Sequence, residues 1–248
     1  MLIDTHAHVN FSSYKEDADE VIRRSLDSDI WMINVGSQYA TSKRAVELAG
    51  KYNGGVYASV GLHPIYAKDG FDYDKYKQLI QLPVVKAVGE IGLDYKKEYA
   101  FFKEKQKEIF LEQIRLAEDF HLPIIFHCRM AHEDLIKILG EQIGRFKGVV
   151  HCFTGNWSQA EKYLKMGFSL GFNGIIFKFN LDDIIKKTPL DKILLETDCP
   201  YLTPPPKQGR NEPLYLRYVA EKIASLKKIS LEKTVEVTTE NAIKLFGL

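Results

Sequence analysis

The 248-residue chain is poor in the features that mark secreted, membrane-anchored or dinucleotide-binding proteins. Its three cysteines are odd in number and have no CxxC spacing, which excludes a full disulfide set and leads us to expect reduced thiols in a cytoplasmic protein. No basic leader precedes the strand-like stretch Met1 to His8, and no apolar run is long enough to cross a bilayer, so no membrane anchor is expected. Net charge is almost absent. Thirty-four Lys plus Arg against 33 Asp plus Glu leave +1, so contact with a nucleic acid or a membrane must be local. There is no GxGxxG. What the chain has in quantity is apolar material, 45% of residues against 27% charged, too hydrophobic for disorder and enough for a sizeable core. One domain over residues 1–248 is expected, and no obligate protein partner is evident.

Short β-rich runs alternate with longer stretches of helical period, the pattern of βα units. The candidate strands are Leu2 to Thr5, Trp31 to Val35, Val56 to Val60, Val84 to Val88, Pro123 to Phe126, Gly148 to Val150, Phe168 to Gly171 and Lys192 to Leu195. Helical stretches between them include Asp17 to Leu26, Ser42 to Tyr52, Glu104 to Phe120, His132 to Leu139, Ser158 to Met166 and Leu181 to Lys186, with Leu214 to Leu226 and Leu231 to Phe246 closing the chain. Eight strands in an α/β alternation over this length predict a TIM-type (β/α)8 barrel rather than an open doubly wound sheet. The stretch Thr203 to Asn211, with three prolines and Gly209, resembles a linker in composition. The C-terminal remainder beyond it is too short to bury a core of its own, so it reads as the last βα loop.

The ionisable residues fall at strand ends. His6 and His8 project to one side of a strand, with Asp4 sharing their parity, and two imidazoles so spaced can grip one metal ion. HxH alone describes two satisfied polar histidines equally well. Glu90, His127, His151 and Asp198 each follow an apolar run, at the barrel rim where side chains from different strands converge. Six ligand-type residues suggest two ions rather than one, since six protein ligands on a single ion would leave little room for water or substrate. Glu90, with two carboxylate oxygens, is the natural bridge between a His6, His8 and Asp198 side and a His127 and His151 side. Such a pair, roughly 3.5–4 Å apart, suits hydrolysis by an activated water, with Glu90 and Asp198 as catalytic carboxylates.

Other residues carry alternatives. His63 ends the third strand, where it either contacts substrate or packs; Arg129, Lys178 and Arg210 lie beyond strand ends and suit phosphate oxygens, or are solvated loop cations. Tyr66, Tyr95 and Tyr201 share that rim, where a tyrosine either packs or stacks on a base. His121 sits at the opposite rim with no role, and His132 reads as a solvated or capping side chain. Cys128, Cys152 and Cys199 each follow a candidate ligand and so face away from it, as small buried fillers.

The motifs IDTHAH, VGLHP, VGEIGLDY, IIFHC followed by Arg129, VVHCFTG, and ETDCPYLTPPP running into GRNEP span Ile3 to Pro213. In their order and spacing the chain resembles the TatD family of metal-dependent deoxyribonucleases, within the amidohydrolase-like barrel superfamily. The resemblance implies a dinuclear divalent-metal site and hydrolysis of phosphodiester bonds in DNA; the imidazole ligands suit zinc or manganese, and a phosphodiesterase role is compatible with magnesium. It implies His6, His8 and Asp198 at one ion, His127 and His151 at the other, and Glu90 shared, where many relatives in the superfamily use a carboxylated lysine. Lys86 shares parity with Glu90 but lies deeper. The chain departs from the family pattern at Met130, where many members are acidic, and at Ile65, where some carry a second histidine; both changes bear on substrate preference.

Near-neutral charge points to shallow, local contact with DNA, hence to an exonuclease admitting a single strand or frayed end, 3' or 5', at the rim. The same site could instead cut the ester of an aminoacyl-tRNA or a small lactone or amide, and a non-catalytic nucleic-acid-binding scaffold with a structural metal is the third alternative.

Overall fold

Runs rich in Val, Ile and Leu pair side by side in chain order into one eight-stranded parallel sheet. In the computed structural model, which describes residues 1–142 and 144–248, the strands are β1 (Leu2–Ala7), β2 (Ile30–Val35), β3 (Val56–Val60), β4 (Val85–Asp94), β5 (Ile124–Arg129), β6 (Gly148–Val150), β7 (Ser169–Phe172) and β8 (Ile193–Leu195). The sheet closes beyond β8, where Asp198 N–H donates to His6 O (2.8 Å) and His8 N–H donates to Cys199 O (2.9 Å). The expected TIM-type barrel is the observed fold, and its closure carries Asp198 to His6 at the end of β1 and to His8 just beyond it.

The connecting helices are α1 (Ala18–Asp27), α2 (Tyr39–Ala49), α3 (Tyr73–Ile80), α4 (Lys103–Asp119), α5 (His132–Gly140), α6 (Trp157–Lys165), α7 (Asp182–Lys187), α8 (Leu216–Lys227) and α9 (Leu231–Phe246). The sequence pattern gives no helix at α3, whose two turns bury only Tyr76, Leu79 and Ile80, too few apolar positions to display a period. Its start is set by Asp72, which accepts Lys75 N–H at 3.1 Å. The stretch Thr203 to Asn211 does lead from the barrel's last strand to α8. No helix among the described residues is long and apolar enough to cross a membrane.

The barrel interior is filled by Ile3, Ile33, Val35, Ala87, Ile125, Val149 and Leu194, and α9 lays Ala242 and Phe246 against this layer. That end is packed shut, and the polar side chains converge at the other. Helix α4 steadies the open end through two buried glutamines seven residues apart, hence on one helix face. Gln113 accepts Leu62 N–H (2.7 Å) and donates to Leu62 O (3.0 Å), beside His63, while Gln106 accepts Asp94 N–H (2.8 Å) and donates to Asp94 O (2.9 Å). Both backbone groups of each of these rim residues are thus satisfied by one amide, which holds the ends of β3 and β4 against α4.

Strand bounds correct the sequence-based expectation where it matters most. β4 runs through to Asp94 and β5 to Arg129, so Glu90 and His127 lie inside strands rather than after them. The β4–β5 register shifts between Gly89 and Ile91. Val88 and Ile91 both pack in the outer core, three residues apart instead of two or four, so the shift frees Glu90 to turn inward. A second shift, between Asp4 and Ala7, breaks the parity assumed from Asp4 to His8. Asp4 instead accepts Thr197 N–H (2.9 Å), Thr197 Oγ1–H (2.5 Å) and His6 N–H (3.2 Å), and does not line the cavity. Lys86 lies toward the closed end, donating to Gly247 O at 3.3 Å.

Candidate metal centre

Side chains from six strands or the residues just after them meet in a cavity of about 560 Å³ at the open end of the barrel. Glu90 is its hub. Oε1 lies 2.7 Å from His127 Nδ1, 2.8 Å from His151 Nε2 and 3.4 Å from His63 Nε2. Oε2 faces the opposite way, 3.5 Å from His6 Nε2 and 4.0 Å from His8 Nε2. Asp198 Oδ1 completes that side, 3.4 Å from His8 Nε2 and 3.9 Å from His6 Nε2. The structure therefore brings together His6, His8, Glu90, His127, His151 and Asp198, and adds His63, which lines the cavity and sits against the His127 ring (centroids 4.1 Å apart).

The carboxylates are held charged by their neighbours. Burial alone raises the Glu90 carboxyl, yet the charges of His63 and His151 and hydrogen bonds from His127 and His151 outweigh it and hold it well below the ordinary range. Burial is likewise outweighed at Asp198, where the His8 contact lowers the carboxyl. His6 and His63 are pushed down by burial and by a neighbouring imidazole. His151 is driven well above its ordinary value, since Glu90 and Glu196 overcome its burial.

Two acids absent from the sequence-based site support the imidazoles from behind. Asp94 Oδ2 is 3.1 Å from His127 Nε2, and Glu196 Oε1 is 3.4 Å from His151 Nδ1 while accepting Cys152 N–H (2.7 Å) and Asn173 Nδ2–H (2.9 Å). Carboxylates behind ligand-type histidines fix ring orientation. The signals are present in the chain: Asp94 stands four residues after Glu90 at the end of the same strand, and Glu196 stands two residues before Asp198. Backbone strain gathers here too. Among the described residues, Met130, Cys152, Asp198 and Leu202 have φ of 54°, 45°, 56° and 55°, and all four line the cavity.

The rim cations part company. Arg129 lines the cavity and has no ion pair among the described residues. Lys178 is exposed outside the lining. Arg210 pairs with Asp17 (2.5 Å), donates to Ser13 O (2.6 Å) and covers the Tyr14 ring, outside the cavity lining. Tyr66 and Tyr201 line the cavity, whereas Tyr95 bonds Asp134 (2.6 Å) under Lys103. Cys128 and Cys199 are buried and Cys152 half-buried, all with thiols pushed up to about 12 by burial.

His132 also departs from expectation. It is half-buried: Nδ1 lies 3.0 Å from Tyr163 OH and 3.3 Å from Cys128 Sγ, and burial lowers the imidazole to about 4. Between pH 6.5 and 4 the unfolded chain binds a proton here that the folded chain refuses, so stability contributed by this site falls as pH drops through that window. His132→Gln should flatten that part of the melting temperature–pH curve, read by circular dichroism at several pH values; an unchanged slope would place the imidazole in water.

The donor set fits divalent metal. A tetrahedral ion with ligands at about 2.0–2.1 Å has ligand–ligand edges of about 3.3 Å. The His6 and His8 Nε2 atoms are 3.1 Å apart, and their nearest carboxylate oxygens lie at 3.5 and 3.4 Å, close to those edges. Facing nitrogens flanked by anionic oxygens, with His6, His8 and Glu90 buried and Asp198 half-buried, are what a cation between them would satisfy.

A parallel barrel with this cluster at its open end defines a metal-dependent hydrolase. Residues 3–247 match the family described as TatD related DNase, and the chain belongs to that family. It is 43% identical over 256 residues to the "Uncharacterized metal-dependent hydrolase YabD" of Bacillus subtilis (strain 168), with all of both chains covered. It is 32% identical over 260 residues to the "3'-5' ssDNA/RNA exonuclease TatD" of Erwinia amylovora, again covering both chains in full. Among solved structures it superposes on YJJV, the TatD homolog of Escherichia coli K12, with a TM-score of 0.92 at 30% identity, covering 100% of this chain and 98% of that one.

Proposed function

We propose that the protein hydrolyses phosphodiester bonds in DNA, working from the end of a single or frayed strand, with two divalent ions. His6, His8 and Asp198 would hold one, His127 and His151 the other, and Glu90 both. The observation that carries this reading is the division of the Glu90 carboxylate, one oxygen toward each group of histidines. Imidazole with carboxylate suits zinc or manganese, and phosphate at the site admits magnesium. When bound, such ions supply Lewis-acid activation of water and neutralise charge developing at phosphorus.

The chain's own residues do the rest. Asp198, kept ionised by His8, orients the attacking water and takes its proton. Glu90 stays anionic between the two histidine groups, and Asp94 and Glu196 keep His127 and His151 from rotating. Arg129, which lines the cavity, neutralises a non-bridging phosphate oxygen, with Lys178 and Arg210 beyond the lining placed for phosphates further along the strand. The family description and the printed name of the Erwinia amylovora relative support the substrate class. End entry is supported by the near-neutral net charge of +1 and the modest cavity.

The test uses end-labelled linear and closed circular single strands with manganese or magnesium. Linear DNA should lose nucleotides, circles should survive, and a chelator should stop the reaction. Circles cut as readily as linear strands would overturn end entry, and undiminished turnover in excess chelator would overturn the metal assignment.

A further inference from the structure

The mouth of the cavity is apolar and aromatic above its polar floor. Met130, Phe179 and Tyr201 all line it, with 75%, 58% and 55% of their surfaces in water, and Ile65 and Tyr66 stand beside them. Large exposed apolar side chains clustered on one rim are a contact surface rather than scatter. Among the described residues only one Lys or Arg, Arg129, stands in the lining. A strand gripped by its backbone needs several cations in file, so here the phosphates supply little of the hold and the bases must supply it.

The two most exposed rings are set by one backbone contact. Phe179 follows the short 3₁₀ turn Gly174–Phe177, and Tyr201 precedes Leu202. A Cβ on Gly174 would come within 1.7 Å of the Leu202 carbonyl oxygen, so only glycine lets these loops abut. The Phe179 N–H is anchored on Ile175 O (2.9 Å), and the Tyr201 N–H on Asp198 O (3.0 Å), which joins the second ring directly to the candidate metal centre. The Tyr201 phenol lies within electrostatic reach of Asp198, Tyr66 and Glu90. The backbones that carry both rings are therefore anchored beside the floor.

From this juxtaposition we infer that Phe179 and Tyr201 are specificity-determining residues that stack on the unpaired bases flanking the bond to be cut. The inference deepens the phosphodiesterase reading above and rests on it. Stacking tolerates any base, since each has a flat π-face. It discriminates against paired ends, whose bases are held in the duplex stack and must be unpaired before both rings can reach their faces. The substrate class is a strand terminus with free bases.

Two single strands of one sequence test this, one with ordinary ends and one whose last three nucleotides at each end lack bases. Wild-type protein with manganese should show a KM about tenfold or more lower for the ordinary strand. Phe179→Ala combined with Tyr201→Ala should raise that KM to the value for the base-free strand. Tyr201→Phe combined with Phe179→Tyr, which keeps both rings, should restore it, separating stacking from damage to the loops. As a readout without turnover, 2-aminopurine near either end of a phosphorothioate strand should be quenched by wild type and not by the alanine pair. Equal KM values for the two strands in wild type, or equal quenching by the alanine pair, would overturn the inference while leaving the phosphodiesterase reading intact. No cleavage of either strand would remove that reading and the inference with it.

Discussion

Glu90→Ala should reduce turnover by on the order of 10³-fold or more and strip the protein of most of its metal. Five imidazoles surround this carboxylate at 2.7 to 4.0 Å, and among the described residues no other side chain faces both groups of histidines. Without it, His127, His151 and His63 lose their shared anion, and His6 and His8 keep only Asp198. Glu90→Gln should fail almost as badly, since an amide keeps the shape but supplies one neutral oxygen where the site needs two anionic ones. Turnover of a single-stranded oligonucleotide and metal content by mass spectrometry check this together, with far-ultraviolet circular dichroism confirming the fold. Full activity with two bound ions in either variant would refute the bridging role.

Gly92→Ala should destabilise the fold by about 3 kcal/mol and damage the same centre without touching any candidate ligand. Gly92 pairs with His127 across the β4–β5 ladder, with φ of +144°, a region that side chains rarely adopt. An added Cβ would stand 2.1 Å from the His127 carbonyl oxygen, backbone against backbone, so no rotamer change relieves it. β5 must move, and His127 Nδ1 with it, away from Glu90 Oε1. Urea unfolding should give a lower midpoint, and metal titration a weaker second site. A variant with the wild-type midpoint and full metal content would mean that the ladder yields at this point at no cost.

Much of the site is legible in the chain because strand ends announce themselves: an apolar run followed by His or Asp is visible in VVHC and ILLETDC. The extension of β4 through Glu90 is not, because GEIGLD breaks the alternation at a register shift that depends on the neighbouring strand. Asp4 misleads for the same reason, since parity carries across a strand only while its register holds. Helix α3 escapes because two turns show little period, and His132 because its partners, Cys128 and Tyr163, come from different elements. Arg210 cannot be judged from its position beyond the last strand, because Asp17, which takes its charge, is 193 residues away in the chain.

By itself the amino-acid order determined the barrel and the six ligand-type residues, because hydrophobic period and strand ends are local properties that each βα unit writes in its own residues. Only the tertiary structure decided which oxygen of Glu90 meets which imidazole, that His63 joins the cluster, that Asp94 and Glu196 stand behind it, and that Arg129 alone of the three expected rim cations lines the cavity. Those are matters of a few ångströms between groups far apart in the chain. They are set by the closure of the sheet and the shifts in its ladder, where one residue of register turns a side chain from the core to the site.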